Sequence, residues 1–233
     1  MKTNMKTLLK TRTRLLLLLS VSLLTLYSCK KIKQEEPVLG DTKIRVVNTV
    51  VGSTPQDVYQ NETKVSTTSV GYGQNTDYLT IQGGKSSTIA LKNEGTQTIS
   101  FSSVASPYAN VSYTIFYYTN PNGFGAFAGF IDENLAVPTG KIKVRFMNLG
   151  SVLSNNINIS VTDGGGPVTS GLAYGYLSAY NTVDPTSSLT VNVIGSTDTK
   201  VIPASTFQAG KIYTIWFDAI TPTTVNYHVV AQN

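Results

Sequence analysis

Cysteine is nearly missing from this chain: Cys29 is the only one in 233 residues. One thiol excludes an intrachain disulfide framework and a cysteine-built metal cage. Histidine and tryptophan also occur once each, as His228 and Trp216. A histidine-based zinc site normally needs several such ligands, so zinc chemistry is not expected. Charge is scarce too, at 13% of residues, about half the usual share. After residue 40 there are no long stretches of the Ala, Leu, Glu and Lys from which helices are built. What is abundant is Thr, Ser, Asn, Gly and Tyr, which suits half-buried strands joined by tight turns.

The formal charge of +5 invites a nucleic-acid reading, which fails on where the charges lie. Lys2, Lys6, Lys10, Arg12 and Arg14 supply five of the 18 basic residues, and no acidic residue precedes Cys29. Beyond residue 28 the chain holds 13 basic against 13 acidic residues. A balanced chain has no global field to steer a polyanion, so no nucleic-acid partner is expected.

The basic residues 1–14 are followed by an apolar run from Leu15 to Leu26. That is the length of a signal-peptide core and too short for a membrane span, which takes about 20 residues. Leu26-Tyr27-Ser28-Cys29 resembles the lipobox of bacterial lipoproteins, with Leu three positions before the acylated cysteine and a small residue before it. Tyr27 departs from the small residue usual at its position. The resemblance implies cleavage after Ser28 and lipid attachment, including palmitate, at Cys29, giving durable partition into a membrane. Lys30 after the cysteine resembles lipoproteins sorted to the outer membrane. The run Lys30, Lys31, Lys33, Glu35, Glu36 resembles surface-export signals of the Bacteroidetes. Residues 1–28 are therefore read as a signal peptide and 29–42 as a lipid-bearing flexible tether.

The rest of the chain is internally repetitive. Ile44-Arg45-Val46-Val47-Asn48 recurs as Val144-Arg145-Phe146-Met147-Asn148, 100 positions on. Val70-Gly71-Tyr72-Gly73 and Tyr78 recur as Leu172-Ala173-Tyr174-Gly175 and Tyr180, at an offset of 102. Tyr113-Thr114-Ile115-Phe116-Tyr117 recurs as Tyr213-Thr214-Ile215-Trp216-Phe217. Each block alternates with period two and both copies keep the same phase, as a conserved buried face requires. Turn signals such as Asn120-Pro121-Asn122-Gly123 and Asp163-Gly164-Gly165-Gly166 separate the runs. The expected fold is all-β: two tandem immunoglobulin-like or transthyretin-like antiparallel β-sandwiches over residues 43–137 and 141–233, divided near Pro138-Thr139-Gly140.

The same blocks resemble a bacterial family of secreted and lipid-anchored proteins, the domain of unknown function numbered 4397. Arg45-Val46-Val47, Asp57-Val58-Tyr59, Asn61-Glu62, Tyr72-Gly73, Tyr78-Leu79-Thr80 and Gly84 carry the pattern in the first copy. The second copy keeps Tyr174-Gly175 and Tyr180 but has Asn158-Ile159-Ser160 in place of Asp-Val-Tyr. The family has no established activity, so the resemblance implies fold and location and no mechanism.

Residue patterns that carry chemistry are few. His228 shares a strand face with Asn226 and Val230, and solvent exposure is its expected state. No Gly-x-Ser-x-Gly turn accompanies it. Gly83-Gly84-Lys85-Ser86 looks like the end of a phosphate loop, but Leu79 stands where the first glycine belongs and a strand follows, so a hairpin turn is predicted. Asp163 lacks the alternating ligands of a calcium loop. Asp132 and Glu133 are neighbours that on a strand would face opposite ways. No catalytic residue, metal or cofactor is expected. Tyr72, Tyr78, Tyr174, Tyr176 and Tyr180 lie near turns and are the candidate contacts for a glycan or envelope protein. Their recurrence in both copies equally suits packing at sandwich corners, which is the favoured reading. The predicted function is a non-catalytic surface binding or spacer module held to the membrane by its lipid. The alternatives are a pilin-like subunit assembling by strand donation, which fimbrial lipoproteins of the Bacteroidetes resemble in layout, and a glycoside-active enzyme.

Overall fold

The computed structural model describes residues 38–162 and 164–232. The leader, Cys29 and most of the tether lie outside the described residues. Among these residues, apart from one short 3-10 turn at Ala204–Thr206, the regular structure is all strand. Eight strands form the first half: β1 (Gly40–Asn48), β2 (Gln56–Gln60), β3 (Thr63–Lys64), β4 (Leu79–Gly83), β5 (Ser87–Asn93), β6 (Ile99–Ala105), β7 (Ser112–Thr119) and β8 (Gly125–Ile131). Eight more form the second: β9 (Ile142–Asn148), β10 (Ile157–Val161), β11 (Pro167–Leu172), β12 (Asn181–Val183), β13 (Leu189–Val193), β14 (Thr199–Ile202), β15 (Ile212–Asp218) and β16 (Asn226–Ala231).

Each half is a sandwich of two four-stranded sheets. The first pairs β3-β2-β5-β6 with β4-β1-β7-β8, and the second pairs β11-β10-β13-β14 with β12-β9-β15-β16. The strand orders correspond position by position. Adjacent strands run antiparallel with two exceptions, β1–β7 and β9–β15, which are parallel. The expectation of purely antiparallel sheets misses this pair because the first strand of each half docks beside the seventh, after the chain has visited both sheets. Two further expectations are corrected. Gly40 to Thr42, read as tether, already belong to β1. Gly83-Gly84-Lys85-Ser86 is no hairpin, because β4 and β5 lie in different sheets and the turn carries the chain between them. Gly84 has φ +81°, and a Cβ there would fall 1.9 Å from the Val38 carbonyl oxygen.

Alternation along the strands builds three cores. Ile44, Val46, Val58, Ile81, Ile89 and Leu91 fill the first sandwich. Val144, Phe146, Ile157, Val191, Ile215 and Phe217 fill the second. The opposite faces of the same inner strands supply a third core of Val47, Phe116, Met147, Leu149, Trp216 and Val230, drawn from both halves. The β1 and β9 sheets therefore pack against one another, and the molecule is a four-layer stack of sheets. This explains why all seven residues of β15 are buried: its sheet is covered on both faces.

The recurring residues hold equivalent local joints. Asn48 donates from Nδ2 to the Val70 carbonyl (3.1 Å) and accepts from the Val50 amide (3.1 Å). Asn148 does the same with Leu172 (3.0 Å) and Gly150 (3.0 Å). The hydroxyls of Tyr113 and Tyr213 each accept a backbone N–H five residues upstream, from Tyr108 (3.1 Å) and Gln208 (2.9 Å). Such a tie fixes the corner where the chain enters a central strand.

Candidate functional site

Four of the five sequence-selected tyrosines meet at the seam between the halves. Tyr72, from the first half, donates its hydroxyl to Oδ2 of Asp218 in the second. Tyr174, from the second half, donates to the Thr119 carbonyl in the first. Tyr78 donates to Oδ2 of Asp132 (2.8 Å), and Tyr180 to Oε1 of Gln232 (2.7 Å). Arginine planes cover the last two rings, Arg45 at 4.3 Å from the Tyr78 centroid and Arg145 at 4.7 Å from that of Tyr180. All four hydroxyls are taken internally: Tyr72 and Tyr174 bond across the halves, while Tyr78 and Tyr180 each bond within their own half. Burial first, then the adjacent carboxylate, pushes the Tyr78 phenol up to about 12. Burial likewise raises Tyr72, Tyr174 and Tyr180 above the ordinary tyrosine value. Tyr176 is different: it is 68% exposed.

At the end of the seam where β1 begins, Asp132 is the hub. Its carboxylate accepts from Thr114 Oγ1 (2.8 Å), Gln232 Nε2 (2.8 Å) and Tyr78, and faces Arg145 Nη2 at 3.5 Å. Arg145 also donates from Nε to Thr214 Oγ1 at 2.9 Å. Asp132 lies one residue past the end of β8, so the expectation based on strand alternation with Glu133 does not apply to it.

Near the other end stands a constellation that sequence reading missed. His228 is not solvent-facing. Its ring stacks on Trp216 with centroids 3.8 Å apart and 6° between planes, and Nε2 lies 3.1 Å from Asp218 Oδ2. The face that alternation assigned to solvent is the seam face. Burial disfavours the Asp218 carboxylate, but hydrogen bonds from His228 and Tyr72 outweigh this and hold it below the ordinary aspartate value. Its second oxygen, Oδ1, is buried and has no hydrogen-bond partner among the described residues.

Two clefts open at this end, where β1, β7, β9 and β15 finish. One of about 500 Å³ is walled by Asn120, Asn148, Ser154, Asn156 and the Tyr174 ring, among others. The second, of about 330 Å³, is lined by Thr49, Val51, Tyr118, Leu149, Asp218 and Ile220, among others. Thr119 and Ser151 belong to both, so the clefts adjoin. The loops that form them gave no motif, because the neighbourhood arises only when two distant halves pack.

Among proteins of curated function, none matches the chain. A solved carbohydrate-binding module, CBMbc (family CBM26) from Eubacterium rectale Amy13K in complex with maltoheptaose, aligns over 80% of this chain and 96% of its own at 12% identity. The TM-score is 0.23, too low to equate the two folds. A family pattern does match, over residues 42–159, from β1 through β10. The chain belongs to the family described as Domain of unknown function (DUF4397).

Proposed function

We propose that the protein is a non-catalytic, lipid-anchored module of the bacterial cell envelope, built from two fused copies of one sandwich unit, that presents the cleft end of its seam away from the membrane. The observation that supports this reading is the polarity of β1. The strand starts at Gly40, 11 residues after Cys29, and runs to Asn48 at the cleft end. Nine residues of strand at about 3.3 Å each span roughly 30 Å. A tether entering at Gly40 joins the stack at the end opposite the clefts. The rigid seam suits display, since it fixes both halves as one spacer. On this reading the partner is a glycan or an envelope protein, and the site is an outer-membrane lipoprotein facing either outward or into the periplasm.

The pairing of β1 favours this reading over strand donation. β1 is hydrogen-bonded to β4 on one edge and β7 on the other. Withdrawing it would open the centre of a sheet, whereas donated strands occupy edges or vacant grooves. Glycoside hydrolysis by paired carboxylates also lacks support, because Asp218 is the only carboxylate lining the two clefts.

The test is metabolic labelling with a clickable fatty acid in a Gram-negative host, combined with an epitope tag inserted at Asn122. Label on the wild type but not on Cys29→Ser, with the tag accessible to antibody in vesicles carrying the protein outward, is the expected result. A protein that never acquires label would overturn the reading.

A further inference from the structure

The seam end holds a feature that joining the halves does not require: Asp218, which lines the smaller cleft, has a buried carboxylate oxygen without a hydrogen-bond partner among the described residues. Asp218 is 3% exposed, and its Oδ2 serves both Tyr72 and His228. Among the described residues Oδ1 has no hydrogen-bond partner, the Asn226 side chain being a further group that bears on this carboxylate, and leaving a buried charged oxygen unpaired is costly. A ligand that brings a hydrogen-bond donor would satisfy it.

The surroundings define what kind of donor fits. Asp218 is the only charged side chain lining either cleft, so an anionic ligand would meet a carboxylate and no compensating cation. The larger cleft is walled by neutral amides and hydroxyls with one aromatic ring. The Ser151 hydroxyl, at the junction, and the Asn156 side-chain amide make no hydrogen bond among the described residues and are open to a ligand. Uncharged donors and acceptors with a tyrosine among the lining residues match the alternating hydroxyls and C–H faces of a sugar. A small ammonium compound would fill only the Asp218 cleft and leave the amide wall unused. Together the two clefts fall in the size range of small-ligand sites.

We propose that this groove is a binding site for a neutral saccharide, with one sugar hydroxyl donating to Oδ1 of Asp218, the Tyr174 ring and the Asn and Ser side chains lining the adjoining subsite, and acidic saccharides excluded. The inference deepens the display reading above and rests on it for the groove's outward orientation. Trp216, the only tryptophan, stacks on the histidine that bonds Asp218, so its fluorescence reports on the site without a label.

The experiment titrates the purified lipidated chain in detergent with neutral gluco-, manno-, galacto- and N-acetylglucosamine oligosaccharides, and with a uronate-containing series. Calorimetry and Trp216 emission follow binding. At least one neutral series is expected to bind, with a change in emission, and the uronate series is not. Asp218→Asn, which keeps the shape but alters the acceptor, is expected to weaken binding at least tenfold. Ser151→Phe, at an exposed position shared by both clefts, is expected to abolish it while leaving the denaturation midpoint unchanged. Saccharide binding that survives Ser151→Phe would overturn the site, and equal binding of the uronate series would overturn the ligand class. No binding across the neutral panel, while Cys29 acylation and loop accessibility hold, would overturn this inference and leave the display reading standing.

Discussion

Removing the carboxylate of Asp132 tests whether the two halves are one thermodynamic body. Its side chain and that of Arg145 are 6% and 4% exposed, with Oδ1 and Nη2 3.5 Å apart. In Asp132→Ala, Arg145 keeps Thr214 and the face of Tyr180 but loses the counter-charge it pairs with among the described residues, and Tyr78, Thr114 and Gln232 lose their acceptor. Breaking a buried ion pair from one side costs about 3–5 kcal/mol, a large part of a typical stability of about 5–15 kcal/mol. With a urea slope of about 3 kcal/mol/M, the midpoint should fall by about 1–1.7 M. Arg145→Met should be costly for the converse reason. The double variant should cost less than the two single losses together, by about 2 kcal/mol, because it leaves neither charge orphaned. Equilibrium urea unfolding followed by circular dichroism measures all four corners of the cycle. A loss below about 1 kcal/mol for Asp132→Ala, or losses that add to within about 0.5 kcal/mol, would refute the idea that this pair is a coupled part of the seam.

Three further outcomes follow from the same packing. Trp216→Ala removes the largest fully buried side chain and should cost about 3–5 kcal/mol; a loss under 1 kcal/mol would show that the seam core collapses around the gap or contributes little. Gly84→Ala should destabilise the protein, since the new Cβ meets the Val38 carbonyl and the backbone lies at positive φ; unchanged thermal unfolding would contradict that close approach. The seam should also be sensitive to pH at both extremes. Asp218 is held below its ordinary value, so its contribution is full above about pH 4 and is lost as pH falls through the folded value. Tyr72, Tyr78, Tyr174 and Tyr180 are held above theirs, so their contribution is full below about pH 10 and is lost as pH rises towards their folded values. A phenolate titration at 295 nm in which every tyrosine ionises together near pH 10 would be incompatible with this.

Much of the fold could be read from the residues. The phase of Ile44-Val46 against Arg45-Val47, repeated at Val144-Phe146 against Arg145-Met147, marks the same strand twice with the same inward face. What could not be read was the partner for the other face. In a lone sandwich, Arg45, Val47, Thr114 and Phe116 would face water, and His228 was assigned there by the same logic. The signal against it was the β15 sequence Ile-Tyr-Thr-Ile-Trp-Phe, which is too apolar on both faces for a strand with one wet side. The parallel pairing of β1 with β7 left no trace, because strand composition does not encode direction. The turn positions of the tyrosines mark them as corner residues without revealing that Tyr72 and Tyr174 reach across to the other half.

That seam is pseudo-symmetric, and its departures from symmetry carry information. Repeat counterparts make matching contacts where Arg45 and Arg145 cover Tyr78 and Tyr180, and Thr114 and Thr214 are both fully buried. A surface that only had to bind its own copy would be served by such matched pairs throughout. The 330 Å³ cleft draws on both halves in equivalent places, Thr49 with Leu149, Val51 with Ser151 and Tyr118 with Asp218. At the last of these pairs the chemistry diverges, from a phenol to a carboxylate. His228 and Trp216, which stand where the first half has Ala128 and Phe116, gather around that carboxylate. Holding the halves together accounts for Oδ2 of Asp218, which Tyr72 crosses the seam to reach, and it does not account for Oδ1. A charge placed on one side only of a pseudo-symmetric groove is suited to a ligand that lacks the symmetry of the groove, as a saccharide with distinct ends does.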